Sequence, residues 1–241
     1  MINVYRFAGL TIQIQSIHET VHELCKEYRF DGIPCFAVKT DAADIESERE
    51  KAVKEDIKEG REPILWMDGY LETLAVYRKI AEILPEYDGF VFHGSAIAVD
   101  RQGYIFTAAS GTGKSTHARL WRELLGNRAV MVNDDKPIIR FVDGAPYVFG
   151  TPWDGKHHLS ANITVPLKAI CILERAKENS IHEITKRDAL PMLIQQAYRP
   201  ADPQALAKTL KLIYRMQARL YRLRCNMEIS AAELSYGTMK G

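Results

Sequence analysis

The run Ala108-Ala109-Ser110-Gly111-Thr112-Gly113-Lys114-Ser115-Thr116 concentrates the residue types that hold a polyphosphate. An apolar, strand-like segment from Tyr104 to Thr107 leads in, and a helical pattern from His117 to Leu125 leads out, which is the layout of a phosphate-binding loop. Glycines at 111 and 113 let backbone N–H groups close around a phosphate, with Ser110, Thr112 and Thr116 completing the loop. Lys114 offers a point charge to the terminal phosphates, and Ser115 a hydroxyl to Mg²⁺. The helix that follows turns the positive end of its dipole toward the anion. That dipole contributes roughly 0.3–2 kcal/mol, whereas micromolar affinity requires about 8 kcal/mol, so amides, lysine and metal must act together. The strict pattern opens with glycine. Here position 108 is Ala, so the entry to the loop takes an ordinary backbone conformation.

A second group of candidates follows the apolar run Ala129-Val130-Met131-Val132, which reads as a buried strand ending in Asn133-Asp134-Asp135. Side chains of neighbouring strand residues point to opposite faces, so one acid can hold Mg²⁺ while the other meets an acceptor hydroxyl. The residues alone allow either assignment. A carboxylate beside Mg²⁺ is a weak base, which suffices where proton transfer comes late in a loose phosphoryl-transfer transition state. Lys156, in the loop from Gly150 to His158, could neutralise charge on a phosphoryl group in flight. Trp153 reads as a packing anchor, and His157 and His158 as solvent-facing.

Two further patterns carry less. His18-Glu19-Thr20-Val21-His22 has the spacing of a zinc-protease helix, with both histidines expected on one helix face. No third ligand stands nearby, and a catalytic zinc needs three. Lys208, Lys211, Arg215 and Arg219 recur at helical spacing and read as a solvated face.

These residues need a frame. A chain of 241 residues, 46% hydrophobic and 26% charged, is ordinary globular material for one large or two small domains. A net charge of +1 excludes a general nucleic-acid binder. No apolar run approaches membrane-spanning length, and the opening residues lack the layout of a signal peptide. Cys25, Cys35, Cys171 and Cys225 are scattered, as free thiols of a cytoplasmic protein would be.

Residues 1–88 read as a small α+β region that could recognise an acceptor, with short strands near its start, a charge-rich segment from Asp41 to Glu59 and a helix from Tyr70 to Leu84. Residues 89–241 read as the phosphate-loop domain. There Phe90–Val99 and Tyr104–Ala108 form a hairpin across Asp100-Arg101-Gln102-Gly103. Pairing Asp100 with Gly103 places His93 opposite Ser110, at the loop mouth. A second hairpin turns at Asp143-Gly144. A strand over Ala169–Leu173, helices over Ala189–Ala197 and Pro203–Arg219, a strand over Leu220–Cys225 and a helix over Ser230–Tyr236 complete the reading.

Taken in order, His93-Gly94, the run from Ser110 to Thr116, Asn133-Asp134-Asp135, Thr151-Pro152-Trp153-Asp154-Gly155-Lys156 and Tyr221-Arg222-Leu223-Arg224-Cys225-Asn226 resemble the HPr kinase/phosphorylase-like group. That group shares its nucleotide site with phosphoenolpyruvate carboxykinase, and the likeness covers roughly residues 90–241. It implies an α/β fold with a mixed sheet around a phosphate-loop core. It also implies a kinase that uses Mg²⁺ and ATP to phosphorylate a hydroxyl on a peptide, a protein or a small molecule. By the resemblance Asp134 is the acid/base, Asp135 and Ser115 the metal ligands, and His93 and Lys156 supporting groups. A non-catalytic nucleotide-binding regulator and a carboxykinase-like enzyme are the alternatives. The acceptor, the donor base and the oligomeric state are not readable from these residues.

Overall fold

The computed structural model describes residues 1–58, 60–155 and 158–241. It divides into two compact units, Met1–Ile83 and Leu84–Gly241.

In the first unit, strands β1 (Ile2–Phe7) and β2 (Leu10–Gln15) form an antiparallel hairpin, and β3 (Phe36–Lys39) runs parallel to β2. The hairpin turns on two residues, Ala8 and Gly9, both at positive φ. Helices α1 (Glu19–Leu24), α2 (Ala42–Lys58) and α3 (Asp68–Ile83) complete the unit. Alternation in β1 and β2 sends Tyr5, Phe7, Ile12 and Ile14 inward, where they are buried with Val21, Leu71 and Ile80. The charge-rich segment is therefore a helix.

The zinc-protease spacing does not produce a metal site. His18 is the extended residue before α1, not part of it, so the two histidines do not share a helix face. Its Nδ1 lies 2.8 Å from Glu72 Oε2. His22 is buried, with Nδ1 at 2.7 Å from the Tyr5 hydroxyl and Nε2 at 2.9 Å from Ser16 Oγ. Glu72 is fully buried and also accepts from Ile17 N, His18 N and Thr40 Oγ1. Burial alone would raise its pKa, but these hydrogen bonds hold the carboxyl below its ordinary range.

The second unit is built on a nine-stranded mixed sheet. Its strands are β4 (Gly89–Val91), β5 (Ser95–Val99), β6 (Gln102–Thr107), β7 (Ala129–Asn133), β8 (Ile138–Val142), β9 (Ala145–Phe149), β10 (Thr164–Arg175), β11 (Ser180–Glu183) and β12 (Arg219–Cys225). The main order is β4-β8-β9-β10-β6-β5-β7, with β12 joined to β10 and β11 to β12. Long β10 serves two groups of strands. Its first residues pair antiparallel with β9, and its later ones run parallel to both β6 and β12.

Helices cover both faces. Alternation in β5, β6 and β10 sends Ile97, Tyr104, Phe106 and Cys171 to one side, where they cluster with Trp121 of α4 (Lys114–Leu125) and Met239 at the end of the chain. It sends Ala96, Ile105, Ile170 and Ile172 to the other. There they meet Leu193 of α5 (Lys186–Gln196) and Ile213 of α6 (Pro203–Arg215). The closing helix α7 (Ile229–Met239) packs on α4. Two of these helices start on caps visible in the sequence. Thr185 Oγ1 accepts from Asp188 N at the head of α5, and Asp202 Oδ2 accepts from Ala205 N at 2.7 Å with Pro203 as the first residue of α6.

Three sequence expectations change. The hairpin between β5 and β6 turns on Asp100 and Arg101 alone, both at positive φ, so Val99 pairs with Gln102 and the register moves away from His93 opposite Ser110. Phe90–Val99 is not one strand: it breaks at Phe92-His93-Gly94, and β4 pairs with β8 instead. Helix α6 ends at Arg215, because Met216 turns to extended ψ. Arg219 therefore stands on β12, where it pairs with Glu183 of β11, while Lys208, Lys211 and Arg215 remain exposed on α6, Lys208 paired with Glu86 and Arg215 over the Phe141 ring.

Candidate functional site

Strand directions gather the chemistry-bearing residues at one edge of the sheet. β5 runs antiparallel to β6 and β7 antiparallel to β5, so β6 and β7 end on the same side. Parallel β10 and β12 end there too. His93 and Gly94 enter β5 from that side. One strand separates the ends of β6 and β7, which places them about 10 Å apart.

The glycine loop leaves β6 after Thr107. Ala108 is buried and at ordinary φ, so the departure from the strict pattern costs no strain. Gly111 and Gly113 have φ of 73° and 120°, conformations side-chain-bearing residues rarely adopt. Gly113 heads α4, and Lys114 is its first residue. The lysine folds back over the loop, donating from Nζ to Ala108 O at 3.3 Å. Burial pushes its pKa below the ordinary lysine range, while Asp135 and then Asp134 pull it back. Ser110 and Ser115 are exposed, and Thr112 and Thr116 half-buried. Arg175, the last residue of β10, grips the loop from its far side, donating Nε to Thr112 O at 3.3 Å and Nη2 to Gly111 O. Sequence reading missed this arginine. Its signal is a cation closing an apolar strand.

The acids follow β7 and are set by Asn133, which is fully buried. Its Nδ2 reaches Thr151 O at 3.1 Å, Thr151 Oγ1 at 3.0 Å and Trp153 O at 3.3 Å. Its Oδ1 accepts from Asp135 N at 2.8 Å and Lys136 N at 2.6 Å. One amide thus ties the acidic turn to the segment around Trp153, itself buried.

Asp134 is 8% exposed, and its Oδ1 accepts from the buried Ser95 hydroxyl at 2.7 Å. A Cβ at residue 155 would stand 3.1 Å from Asp134 Oδ2, so Gly155 leaves that oxygen room. Asp135 faces differently. Its Oδ1 lies 3.4 Å from His93 Nε2, and Lys136 Nζ bonds its Oδ2. His93 is held through its backbone, donating N to Gln196 O at 2.8 Å and accepting at O from Thr107 Oγ1 at 3.0 Å. Burial and then Lys114 push the imidazole below its ordinary pKa, with Asp135 opposing. Lys156 and His157 lie outside the described residues.

Two cavities flank the N-terminal turn of α4, and Thr116 borders both. One, of about 410 Å³, is lined by Ser115, Arg119, Arg122, Met131, Asp134 and Leu159. The other, also about 410 Å³, lies between the loop, His117 and Leu120 on one side and the ends of β10 and β12 on the other. Ligands of open α/β sheets gather outside the carboxyl ends of parallel strands. The Ser115 hydroxyl and the Asp134 and Asp135 carboxylates are hard oxygen donors, the set Mg²⁺ takes. In donor chemistry they suit that ion; among the described residues no group of three or more His, Cys, Asp or Glu stands together as a metal site, here or elsewhere.

The chain belongs to the family described as SynChlorMet cassette protein ScmC, which matches residues 55–229. Among solved structures, the Hpr(Ser) kinase/phosphatase from Coxiella burnetii is similar over 63% of this chain and 99% of that one, at 9% identity and a TM-score of 0.35. No curated protein matches the sequence. No described helix is long and apolar enough to cross a membrane.

Proposed function

We propose that the protein is a Mg²⁺-dependent kinase that moves the terminal phosphoryl group of ATP to a hydroxyl acceptor. One observation carries this reading: Ser115, beside Lys114 at the head of the glycine loop, and Asp134, first of the two consecutive carboxylates, line one cavity. On this reading a cation for the terminal phosphates and an acid for the acceptor would flank one transfer position.

The loop amides from Ser110 to Thr116 and the Lys114 ammonium hold the phosphates, with Arg175 bracing the loop carbonyls. Ser115 and Asp135 hold Mg²⁺, which supplies positive charge to the phosphates. The apolar cavity near Leu120 and Leu173 takes the nucleoside. Asp134 orients the acceptor hydroxyl and receives its proton. His93 positions Asp135, and Lys156 would neutralise charge on the phosphoryl group in flight.

The test pairs nucleotide binding with ATP turnover on an acceptor found in cell extract. Lys114→Ala should lose nucleotide. Asp134→Asn should keep it while turnover falls at least about a hundredfold, the usual weight of acid–base help. Full turnover in Asp134→Asn removes that residue from the chemistry. Tight ATP binding with no transfer to any extract component replaces the kinase by a nucleotide-binding regulator.

A further inference from the structure

The cavity into which Asp134 opens is more basic than hydroxyl transfer alone requires. Arg119 and Arg122 stand on α4 beyond Ser115, about 6 and 10 Å along the axis at the helical rise, and both line the cavity. Among the described residues Asp134 is the only acid in that lining. Arg122 is half-buried yet makes no side-chain hydrogen bond or ion pair among the described residues. Arg119 bonds Glu123 at 3.0 Å, but the pair is 62% and 59% exposed, a bond of the kind that contributes little and exchanges readily. A half-buried guanidinium without a carboxylate is a site prepared for one, because its planar donors suit a carboxylate or phosphate. Met131 and Leu159 supply the apolar walls.

Resting on the kinase reading above, we infer that the acceptor carries an anionic group, carboxylate or phosphate, within a few bonds of its hydroxyl, and that Arg122 and Arg119 bind it. The hydroxyl meets Asp134 while the anion lies further along α4. About 410 Å³ suits a small molecule or one side chain with its neighbours rather than a folded surface.

The test is calorimetric titration of protein saturated with Mg²⁺ and a non-hydrolysable ATP analogue. The probes are D-glycerate, sn-glycerol 3-phosphate and a capped Asp-Ser-Glu peptide, each against a neutral counterpart: glycerol, or the capped Asn-Ser-Gln peptide. The first two arms separate carboxylate from phosphate, and the third separates a free compound from a chain. At least one anionic probe should bind saturably and more tightly than its counterpart. Arg122→Gln should weaken it about tenfold or more, Arg119→Gln should add to the loss, and Arg122→Lys should recover part of it. Thermal melting verifies that each variant is folded. Anionic binding that survives both glutamine substitutions, or no preference for any anionic probe while the analogue binds, overturns the inference. Failure of the analogue itself to bind overturns the kinase reading instead.

Discussion

His117 makes the stability of the loop helix depend on pH, and the size of the effect follows from its surroundings. The side chain lies in the first turns of α4 with 2% of its surface exposed. Its ring meets Phe106 edge-on at 4.7 Å, and Nε2 is 3.0 Å from Ser235 Oγ on α7. Nδ1 is buried with no partner in the described structure. Protonation would bury a charge and a second donor with no acceptor. Burial accordingly pushes the pKa from 6.5 to about 4. Below pH 6.5 the unfolded chain takes up a proton that the folded one refuses, so stability is complete above 6.5 and falls until pH reaches about 4. At about 1.4 kcal/mol per unit, the loss is about 3 kcal/mol. His117→Gln keeps a donor toward Ser235 and cannot charge. Urea unfolding of both proteins, free of nucleotide and metal and followed by circular dichroism from pH 7 to 4, isolates the effect, since carboxylates such as Glu72 contribute equally to each. The stability gap should shift by about 3 kcal/mol in favour of the variant as pH falls. Parallel stability curves would refute the argument.

Three further outcomes follow from the site and its frame. Asn133→Ala removes five hydrogen-bond contacts made by a fully buried side chain, and should lower unfolding free energy by about 3 kcal/mol and uncouple nucleotide binding from turnover. Gly113→Ala forces a side chain into φ of 120°; about 1–3 kcal/mol of strain should appear as a lower thermal midpoint and a weaker nucleotide titration. Gly94→Ala sets a Cβ 2.8 Å from Ile105 Cγ2 and 2.9 Å from Phe106 O, which should cost about 1–3 kcal/mol in urea unfolding.

What the sequence reveals and what it hides divides along the range of the forces. The strand–glycine-loop–helix order and the turn after β7 are legible because each is built from adjacent residues of fixed type, and the buried alternation of β6 and β10 shows as apolar runs. The break at His93-Gly94 is hidden inside one such run. It forms because the chain passes so close to Ile105 and Phe106 that only glycine fits at 94, a contact with residues eleven and twelve positions away. The two-residue turn at Asp100-Arg101 is hidden because Arg101 takes a left-handed conformation that pattern reading reserves for Gly or Asn. Strand β11 is four residues of mostly exposed edge and pairs only with β12, too short to leave a periodic signal. No glycine or proline marks the end of α6, and its apolar periodicity runs on past Arg215. Likewise the spacing of His18 and His22 promises a helix face, but Glu72 captures the backbone before α1 and holds His18 outside it.

The break at His93 does more than interrupt a strand. Had Phe90–Val99 run on as one element beside β6, its residues before Ser95 would have extended the ladder past Phe106 and crowded the start of the glycine loop. Instead β4 leaves for β8, and the released segment donates Gly94 N to Asp135 O at 3.1 Å and presents the His93 ring to the same aspartate. Lys114 follows the end of β6 and the two carboxylates follow the end of β7, on either side of β5. Two reversals of strand direction bring the loop and the acids to one edge, about two strand spacings apart, and the departure of β4 to β8 ends the ladder between them at Ser95. A fragment carrying only the loop and its helix would hold a lysine without its acids. It is the pairing of β5 with both neighbours that brings three separate stretches of sequence to one edge of the sheet.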